Sequence, residues 1–488
     1  MENNQEYETR KKKLKKLKKQ LIAYKDKFEN KVEFADAKLL PDGENVRVAG
    51  RIISKRSFGK LMFLTLYDAN GTMQVSLSKN ELEDDYTFYK QNLDVGDFIG
   101  VEGELYTTKT GEKTVRAFTP ELLSKSLRPL PEKYHGIKDI DSRYRQRYLD
   151  IISSDDTRRT FKIRVETLNA IKEYLRNNQF MEVETPILQS VACGANAKPF
   201  ITKHNALDED FYLRIAPELF LKQVVEGGFD RVFEMGKNFR NEGMDASHLQ
   251  EFTMLEWYAA YWDYKDNMQF LQDMLKDVIM NVKGELSFDY QGINLDFSEF
   301  DKIDYVETMN KLLNTNILEF TDVEEIKDIL RNNQMFDGEE ISRLPSITAA
   351  VDFIFKKRVR PYIIQPTIVH NYPAYMVPLA RRNDEDERTI DMFQLIVNGW
   401  EVSKCYSELI DPEIQRKTFE DQLADKMAGD DEAMDIDEDF ILAMEHGMPP
   451  MSGLGLGIDR VISLLANQPT LRDVVLFPQM KKPKQLTK

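Results

Sequence analysis

The sequence is poor in the residues that build disulfide, zinc and redox sites. Only two cysteines, Cys193 and Cys405, and five histidines occur among 488 residues. Two cysteines are too few for a disulfide framework or a cysteine-rich zinc site, and they suit a reducing compartment. The histidines lack the spacing of metal ligands. These shortages argue against a small secreted scaffold and favour a cytoplasmic globular protein.

Long apolar runs are also missing. No stretch reaches the roughly 20 apolar residues of a transmembrane helix, so no membrane partner is expected, and the charged N-terminus lacks the apolar core of a signal peptide. Hydrophobic residues still make up 42% of the chain, enough for sizeable cores, and the length suggests about three domains. The net charge of −16 gives an average field unfavourable to nucleic acid, although a local basic patch can still bind it.

A dense basic segment, RKKKLKKLKK, occupies residues 10–19. Leu14, Leu17 and Leu21 recur at helical spacing, which predicts a helix with one apolar stripe and a basic face. Such a helix is either a solvated charged helix or an arm that follows a phosphate backbone, and the residues leave both readings open.

Residues 45–119 alternate between apolar and polar positions, with a hairpin turn predicted at Asn70-Gly71. Five or so short strands within such a segment predict a small β-barrel of the oligonucleotide-binding type. An ordinary barrel with its aromatic residues in the core is the alternative. The basic and aromatic residues that an oligonucleotide-binding barrel would present are Arg51, Lys55, Arg56, Phe58, Lys60 and Phe63.

The remaining chain mixes helical and strand patterns without regular βαβ alternation, which predicts an α+β domain with a largely antiparallel sheet. We expect a long helix from Thr157, a strand hairpin over 391–408 that turns at Asn398-Gly399, and a strand that enters a helix over 453–465. The expected domains are a basic helical extension (1–44), the barrel (45–145) and a catalytic domain (146–488) with a helical insertion around 260–360.

Several common catalytic motifs are absent. Gly453, Gly455 and Gly457 do not fit G-x-G-x-x-G, and the chain has no P-loop, no H-E-x-x-H and no G-x-S-x-G. Arginine suits phosphate, and carboxylates suit Mg²⁺ or an ammonium group, so a site with both could hold a nucleoside triphosphate beside a cationic small molecule. Salt-bridged arginines in a core would explain the same residues. The acids and arginines concerned are Glu218, Arg240, Glu242, Glu256, Glu401, Glu408 and Arg460.

Five stretches carry a family resemblance. FMEVETPIL, FRNEG…HLQEFTMLEWY and GLGLGIDR resemble, in order, motifs 1, 2 and 3 of the class II aminoacyl-tRNA synthetases, and GANAKPFITKHNALDEDFYLRIAPELFLK (194–222) and PLARRND (378–384) are similar to bacterial lysyl-tRNA synthetases. The resemblance covers about residues 45–480. It implies a class II antiparallel sheet flanked by helices, an N-terminal OB-fold barrel, and lysine–tRNA ligase activity with ATP as substrate and Mg²⁺ as cofactor.

The resemblance also implies roles for individual residues. The residues expected to bind ATP are Arg240, Glu242, His248, Phe252, Glu401 and Arg460, with the two arginines as the catalytic pair. Those expected to bind L-lysine are Gly194, Glu218, Glu256, Tyr258, Tyr406 and Glu408. Metal ligands would be Glu401 and Gln394, and anticodon contacts of tRNA(Lys) would be Arg56, Phe63 and Gln74. A homodimer is expected to form through motif 1 (157–188).

Three positions depart from the family pattern. Leu249-Gln250 stands where Asn-Pro is usual, Gln394 where a glutamate helps to bind Mg²⁺, and Lys404 where an asparagine lies in the amino-acid site. The last two changes make the site more positive by two charges. Either Lys404 partly replaces a Mg²⁺ ion, or it pairs with Glu408 or another acid nearby.

One geometric question follows from these positions. Strict alternation along 400–408 puts Glu408 on the opposite face from Glu401, unless a β-bulge or bend follows Trp400.

Two other functions stay open at this point. One is a synthetase-like paralogue that aminoacylates a protein or another tRNA, against which the complete barrel argues. The other is a non-catalytic binding module, against which Arg240, Glu242 and Arg460 argue. An aspartate or asparagine enzyme would need a cationic pocket, whereas Glu256 and Glu408 make this one acidic.

Overall fold

The computed structural model describes residues 2–19, 24–131, 136–195, 197–427 and 436–481. The chain divides into two compact units, Met1–Ser154 and Asp155–Lys488. In the described part of the chain, no helix combines the length and the apolar character needed to cross a bilayer.

The first unit is built on a closed five-stranded barrel. The strands follow the order β1-β2-β3-β5-β4, in which β3 and β5 are parallel and the other neighbours antiparallel. They are β1 (Asn45–Phe58), β2 (Leu61–Asp68), β3 (Gly71–Ser78), β4 (Phe98–Thr107) and β5 (Lys113–Ser124). The helices of this unit are α1 (Glu2–Lys19), α2 (Phe34–Leu39), α3 (Lys79–Leu82), α4 (Asp85–Asn92), α5 (Ile140–Arg145) and α6 (Arg147–Ser153).

The predicted turn between β2 and β3 is displaced by one residue. Asp68 pairs with Gly71, so the two loop residues are Ala69 and Asn70 rather than Asn70 and Gly71. The Asp68 carboxylate accepts a hydrogen bond of 2.8 Å from the Asn70 amide, which starts the turn earlier. Gly71, with φ of +133°, opens the next strand.

The basic helix packs onto the barrel through its apolar stripe. Leu17 is fully buried in the barrel core and Leu14 is almost so, which confirms the predicted stripe, whereas Leu21 lies outside the described residues. Arg10 donates a hydrogen bond of 2.8 Å to the Val95 carbonyl, and Lys13 pairs with Asp94 at 2.6 Å. The remaining lysines of α1 are exposed, namely Lys11, Lys12, Lys15, Lys16, Lys18 and Lys19.

The second unit contains an eight-stranded sheet in the order β14-β15-β16-β17-β18-β11-β10-β6, antiparallel except for the outermost pair at each edge. A three-stranded sheet (β7-β9-β8) and a hairpin (β12-β13) complete it. The strands are β6 (Met181–Glu182), β7 (Leu188–Gln189), β8 (Phe200–His204), β9 (Glu209–Leu213), β10 (Arg231–Phe239), β11 (Glu251–Ala260), β12 (Ser287–Tyr290), β13 (Ile293–Asp296), β14 (Asp301–Asp304), β15 (Thr367–Pro373), β16 (Thr389–Val397), β17 (Trp400–Ser407) and β18 (Met451–Gly457).

Helices cover both faces of this sheet, and short 3₁₀ turns lie at Ile317–Glu319, Arg360–Tyr362 and Ala374–Met376. The α-helices are α7 (Asp155–Asn177), α8 (Glu218–Glu226), α9 (Tyr264–Lys283), α10 (Tyr305–Leu313), α11 (Val323–Asn332), α12 (Gly338–Ser342), α13 (Ile347–Arg358), α14 (Pro412–Met427), α15 (Glu438–Glu445), α16 (Ile458–Leu465) and α17 (Leu471–Val474). The α+β fold class, the long helix after Thr157 and the strand-to-helix passage at 453–465 are thereby confirmed.

The two faces of the central strands differ in chemistry. Leu255, Trp257, Leu454 and Leu456 alternate along β11 and β18 and are buried in one core with residues of α7, α9 and α16. The intervening side chains, among them Glu256, point to the opposite face because neighbouring residues of a strand alternate. That opposite face carries the polar residues of the site described below.

The hairpin of β16 and β17 contains the bulge on which the position of Glu401 depends. Asn398 (φ +49°) and Gly399 (φ +72°) make the predicted tight turn. Ile396 pairs with Glu401, but Leu395 pairs with Ser403, which leaves one extra residue, Val402, on β17. Because a bulge reverses the alternation once, Glu401 shares a face with Lys404, Tyr406 and Glu408.

Candidate active site

A cavity of about 310 Å³ lies on the polar face of the sheet. Eleven of the residues expected to bind ATP, lysine or metal line it, which brings most of the site predicted from sequence together. They are Gly194, Glu218, Arg240, Glu242, His248, Phe252, Glu256, Tyr258, Glu401, Tyr406 and Arg460.

The hairpin of β10 and β11 carries Arg240 into the cavity. The Arg240 amide donates 2.9 Å to the Gln250 carbonyl, and its guanidinium lies 5.3 Å from the centre of the Phe252 ring. Within the described residues, the buried Nε atom of Arg240 has no hydrogen-bond partner. An unpartnered buried donor is costly, so this atom is a candidate contact for an anionic ligand.

The loop of this hairpin holds the more exposed polar groups. Glu242 and His248 are exposed at the cavity, and His248 Nδ1 lies 2.9 Å from the Asp245 carboxylate. Leu249 is buried, and the Gln250 side chain donates 3.1 Å to the Glu242 carbonyl. Gln250, one of the two residues that depart from the family pattern here, therefore stabilises the loop through its side chain.

The passage from β18 to α16 places Arg460 beside Glu401. Arg460 Nη1 donates a hydrogen bond to the Glu401 backbone carbonyl. Burial lowers the pKa of Arg460, and the Glu401 carboxylate opposes that shift. The neighbouring Asp459 accepts 2.9 Å from the Thr253 amide and 2.7 Å from Arg164, which fixes the start of α16 to β11 and α7.

A cluster of buried carboxylates and phenols also lines the cavity. Tyr406 donates 2.7 Å to Glu218, and Tyr258 donates 3.2 Å to Glu256. Burial, reinforced by the charge of Glu218, raises the pKa of Glu256 to about 8. The Glu256 carboxyl is therefore poised to ionise when a cation arrives.

Lys222 belongs to this cluster and was missed by the sequence reasoning. Its fully buried ammonium lies 2.7 Å from Glu218 Oε1 and 2.5 Å from Glu408 Oε2. Burial alone would lower the pKa of Lys222, but Glu218 and Glu408 outweigh it and raise the pKa. The available signal was the i,i+4 spacing from Glu218 on α8, which puts both side chains on one face.

Glu408 is not among the residues that line the cavity, but it lies next to Gly453, which is. A Cβ atom on Gly453 would stand 2.6 Å from Glu408 Oε1 and 2.1 Å from a ring carbon of Tyr258. In the described structure, Oε1 of Glu408 has no hydrogen-bond partner. The glycine spacing of GLGLG thus leaves room for the acidic cluster.

Gln394 and Lys404 are cross-strand neighbours on the same face. Gln394 does not line the cavity, and its amide oxygen accepts 2.7 Å from the Tyr372 hydroxyl, so the geometry gives no support to Gln394 as a metal ligand. Lys404 lines the cavity, half-buried. The suggested pairing of Lys404 with Glu408 is not found, because Glu408 pairs with Lys222. Within the described residues Lys404 forms no ion pair, although the charges of Glu401 and Glu218 act on it.

On the barrel, the three residues expected at the anticodon share its outer surface. Arg56 pairs across the strands with Phe63, and its guanidinium donates 3.4 Å to the Gln74 side chain. Phe58 is 63% exposed and packs edge-on against the half-buried Phe63 at 6.3 Å. These aromatic residues are therefore outside the barrel core.

The closed barrel, and a mostly antiparallel sheet whose polar face holds Arg240 and Arg460 in one cavity with carboxylates, agree with the class II aminoacyl-tRNA synthetase architecture that the motifs predicted. Residues 139–481 match the family of class II tRNA synthetases (D, K and N), and residues 46–123 match the OB-fold nucleic acid binding domain. The chain therefore belongs to the class II tRNA synthetases, as its motifs predicted.

Relatives named lysine–tRNA ligase are similar over nearly the whole chain. The protein from Escherichia coli (strain K12) is 42% identical, with 98% of this chain and 96% of the relative covered. That from Histophilus somni (strain 2336) is 46% identical over 92% of this chain and 90% of its own length. That from Aquifex aeolicus (strain VF5) is 44% identical over 91% of this chain and 74% of its own length.

Proposed function

We propose that the protein is a lysine–tRNA ligase, which activates L-lysine with ATP and transfers it to the 3′ end of tRNA(Lys). The observation that carries this proposal is one cavity lined both by the buried carboxyl groups of Glu218 and Glu256 and by Arg240 and Arg460. A positive side chain and a polyanion can lie end to end in it. The names of the similar ligases agree with that chemistry.

ATP is bound by the motif 2 hairpin and the start of α16. Arg240 holds the α-phosphate, since its buried Nε lacks a partner within the described residues, and Arg460 contacts the γ-phosphate. Glu242 and His248 contact the nucleotide, and Phe252 stacks on adenine. Guanidinium groups suit this task because they donate charged hydrogen bonds in a fixed geometry.

Activation is an in-line displacement at phosphorus. A carboxylate oxygen of lysine forms a bond to the α-phosphorus, the bond from that phosphorus to the bridging oxygen breaks, and pyrophosphate leaves with the electron pair. The lysine carboxylate is already ionised at neutral pH, so no general base is needed. Rate then comes from alignment and from fixed cations facing the developing charge.

Lysine is recognised by the acidic cluster. Glu218 takes the α-amino group, Glu256 and Glu408 receive the ε-ammonium with help from Tyr258, Tyr406 forms the aromatic wall and Gly194 lines the floor. Lys222 already neutralises part of this cluster. The unpartnered Oε1 of Glu408, among the described residues, and the titratable Glu256 remain for the substrate.

Magnesium fits this site in one place. Mg²⁺ is usually held by one or two carboxylates together with substrate phosphates. Glu401 lines the cavity close to Arg460, whereas the carboxylate of Asp459 is already bonded to Thr253 and Arg164. The described residues contain no group of three or more His, Cys, Asp or Glu side chains placed to share a metal. A bound ion would neutralise phosphate charge, while Arg240 and Arg460 orient the phosphates.

The barrel is proposed to bind the anticodon, with Arg56, Phe63 and Gln74 on its bases. Stacking of a base on an aromatic ring contributes about 1–3 kcal/mol, and Gln74 can hydrogen-bond a uracil edge. The exposed lysines of α1 are proposed to contact the tRNA backbone.

We further propose a homodimer formed through residues 157–188. Several apolar side chains in and near this segment are exposed, as interface residues are before association: Val165, Ile187, Leu188 and Ile201. A cytoplasmic setting belongs to the same proposal, because ATP and tRNA meet there.

The test is charging of tRNA(Lys) with matched amino acids. Norleucine has the length of lysine without its ammonium group, so it leaves buried carboxylates unpaired and should be rejected by about 10⁴-fold or more in kcat/KM. Ornithine, which keeps a charge, should be rejected far less. Charging with norleucine at a rate near that of lysine would refute the proposed substrate.

A further inference from the structure

The ammonium group of Lys404 is a feature of the cavity that the proposed recognition of lysine and ATP leaves unused. Lys404 lies on β17 between Gln394 of β16 and Gly455 of β18. Its ammonium stands 5.9 Å from the centre of the Tyr406 ring. In the described part of the chain it has no ion pair and no hydrogen bond. A lysine that points into a ligand cavity without a partner is available to a ligand anion.

Three charged neighbours define where this ammonium lies. After burial, which lowers the pKa of Lys404, the groups that act on it most strongly are Glu401, Glu218 and Arg240. Glu218 belongs to the lysine pocket, whereas Glu401 and Arg240 belong to the nucleotide end. The bulge at Val402 puts Glu401 and Lys404 on one face. The ammonium therefore sits at the junction where a lysine carboxylate would meet the α-phosphate.

The same junction does not fit a second metal ion. Gln394 brings an uncharged amide whose oxygen is already bonded to Tyr372. Its cross-strand neighbour is Lys404 itself, and a positive charge beside a metal position disfavours the metal. Glu401 is therefore left to hold one ion together with ATP.

We propose that Lys404 is a catalytic residue for activation, whose ammonium binds an oxygen of the reacting α-phosphate and does there what a second metal ion would otherwise do. This inference rests on the proposed function. The bonds made and broken are those of the in-line displacement above, and Lys404 keeps its proton throughout. A fixed ammonium group can stabilise the transition state because it already faces the developing negative charge and needs no reorganisation.

The first experiment compares Lys404→Met, Lys404→Arg and wild type in lysine-dependent ATP–pyrophosphate exchange, titrated with Mg²⁺. At low Mg²⁺ we expect Lys404→Met to lose about 10²-fold in kcat, as when a transition-state donor is removed, with the KM for lysine little changed. Lys404→Arg should recover part of the loss. The control Lys265→Asn, at an exposed lysine of α9, should match wild type. Unchanged kcat in Lys404→Met at every Mg²⁺ concentration would overturn the proposal.

The second experiment counts metal ions without turnover. Mn²⁺ is titrated by electron paramagnetic resonance into each protein with a non-hydrolysable ATP analogue and lysine. We expect one tightly held ion fewer in wild type than in the double variant Gln394→Glu/Lys404→Asn, which puts a second carboxylate beside Glu401. Equal counts in the two proteins would overturn the metal-replacing role.

Failure of the proposed function would look different. In that case wild type would show no lysine-dependent exchange at any Mg²⁺ concentration, whereas the Mn²⁺ count is obtained without turnover and is compared between the two proteins under the same conditions.

Discussion

At the scale of single residues, the pocket is governed by how many of its carboxylates are already neutralised. Lys222 bridges Glu218 and Glu408, whereas among the described residues the Glu256 carboxyl has the Tyr258 hydroxyl as its one hydrogen-bond partner. Removing one member of a buried ion pair is strongly destabilising, by about 3–5 kcal/mol, so Lys222 holds the pocket together before substrate arrives. The charge state of Glu256 should therefore respond to pH and to ligand.

The raised pKa of Glu256 predicts how stability depends on pH. Between its ordinary value of 4.5 and about 8, the folded protein keeps the proton on Glu256 while the unfolded chain has lost it. Stability falls with rising pH wherever the folded state binds more protons. Glu256→Gln removes this loss, so its melting temperature minus that of wild type should increase from pH 5 to pH 8.5.

The matching control is Glu299→Gln, at a carboxyl that is exposed in the folded protein. Thermal melts of the ligand-free proteins across this pH range measure the effect. A constant difference between Glu256→Gln and wild type would contradict the assigned burial of Glu256.

Residue types and the family motifs predicted most of the residues that line the cavity, but not which charged side chains there form ion pairs with one another. Glu218 and Glu408 were expected to meet substrate, and nothing in the pattern of acids showed that Lys222 already joins them. The i,i+4 spacing places Lys222 beside Glu218, yet the contact with Glu408 requires α8 to lie against the end of β17. This contact depends on tertiary packing, which the local periodicity of the sequence does not predict.

At the scale of elements, the glycines of β18 decide how closely the acidic cluster packs. Leu454 and Leu456 bury one face of the strand, while Gly453 and Gly455 face Tyr258 and Met254. The alternation of leucine and glycine was visible in GLGLG. The structural reason for this alternation was not visible in the sequence, because that reason depends on which strand lies beside β18.

Gly453→Ala should damage lysine recognition. The added methyl group would lie 2.1 Å from Tyr258 and 2.6 Å from Glu408, so both side chains must move. A displacement of about 1 Å in a positioned group can lower activity by about 10²-fold, and we expect kcat/KM for lysine to fall by that order, mainly through KM.

Binding of a non-hydrolysable ATP analogue reports whether the Gly453→Ala protein is folded. Gly338→Ala is the control, because a methyl group there meets open space. An unchanged KM for lysine in Gly453→Ala would count against the close packing.

The bulge at Val402 could not be predicted from the sequence. The sequence showed only that a bulge or bend after Trp400 was required for Glu401 and Glu408 to share a face. A strand pattern with period two reports faces but not an inserted residue. Once the register is known, Glu401 and Glu408 share a face without further assumption.

At the scale of the whole molecule, the local charge of α1 is opposite in sign to the net charge of the chain. The chain carries −16 overall, yet α1 exposes a row of lysines on the unit that holds the OB-fold barrel. The change of composition near residue 45 was enough to predict a barrel preceded by a basic helix. Which lysines pack and which remain exposed depended on where the apolar stripe of α1 met the barrel.

Neutralising Lys12, Lys15 and Lys16 together to glutamine should weaken tRNA binding and leave amino-acid activation unchanged. Each lost phosphate contact reduces the slope of log affinity against log salt by about 0.7–0.9, so three contacts should flatten it by about 2 to 3. Filter binding of tRNA(Lys) over a range of salt concentrations measures this slope.

Glutamine at Lys265, Lys311 and Lys417, exposed lysines of the second unit, is the charge-matched control. Identical slopes for the α1 variant and wild type would mean that α1 is only a solvated charged helix.

The most direct measurement of the central claim is ATP–pyrophosphate exchange with each of the twenty amino acids in turn, at saturating ATP and Mg²⁺. An acidic pocket beside two phosphate-binding arginines predicts rapid exchange with lysine and at most trace exchange with the other nineteen. Equal or faster exchange with an uncharged or acidic amino acid, or none with lysine, would contradict it.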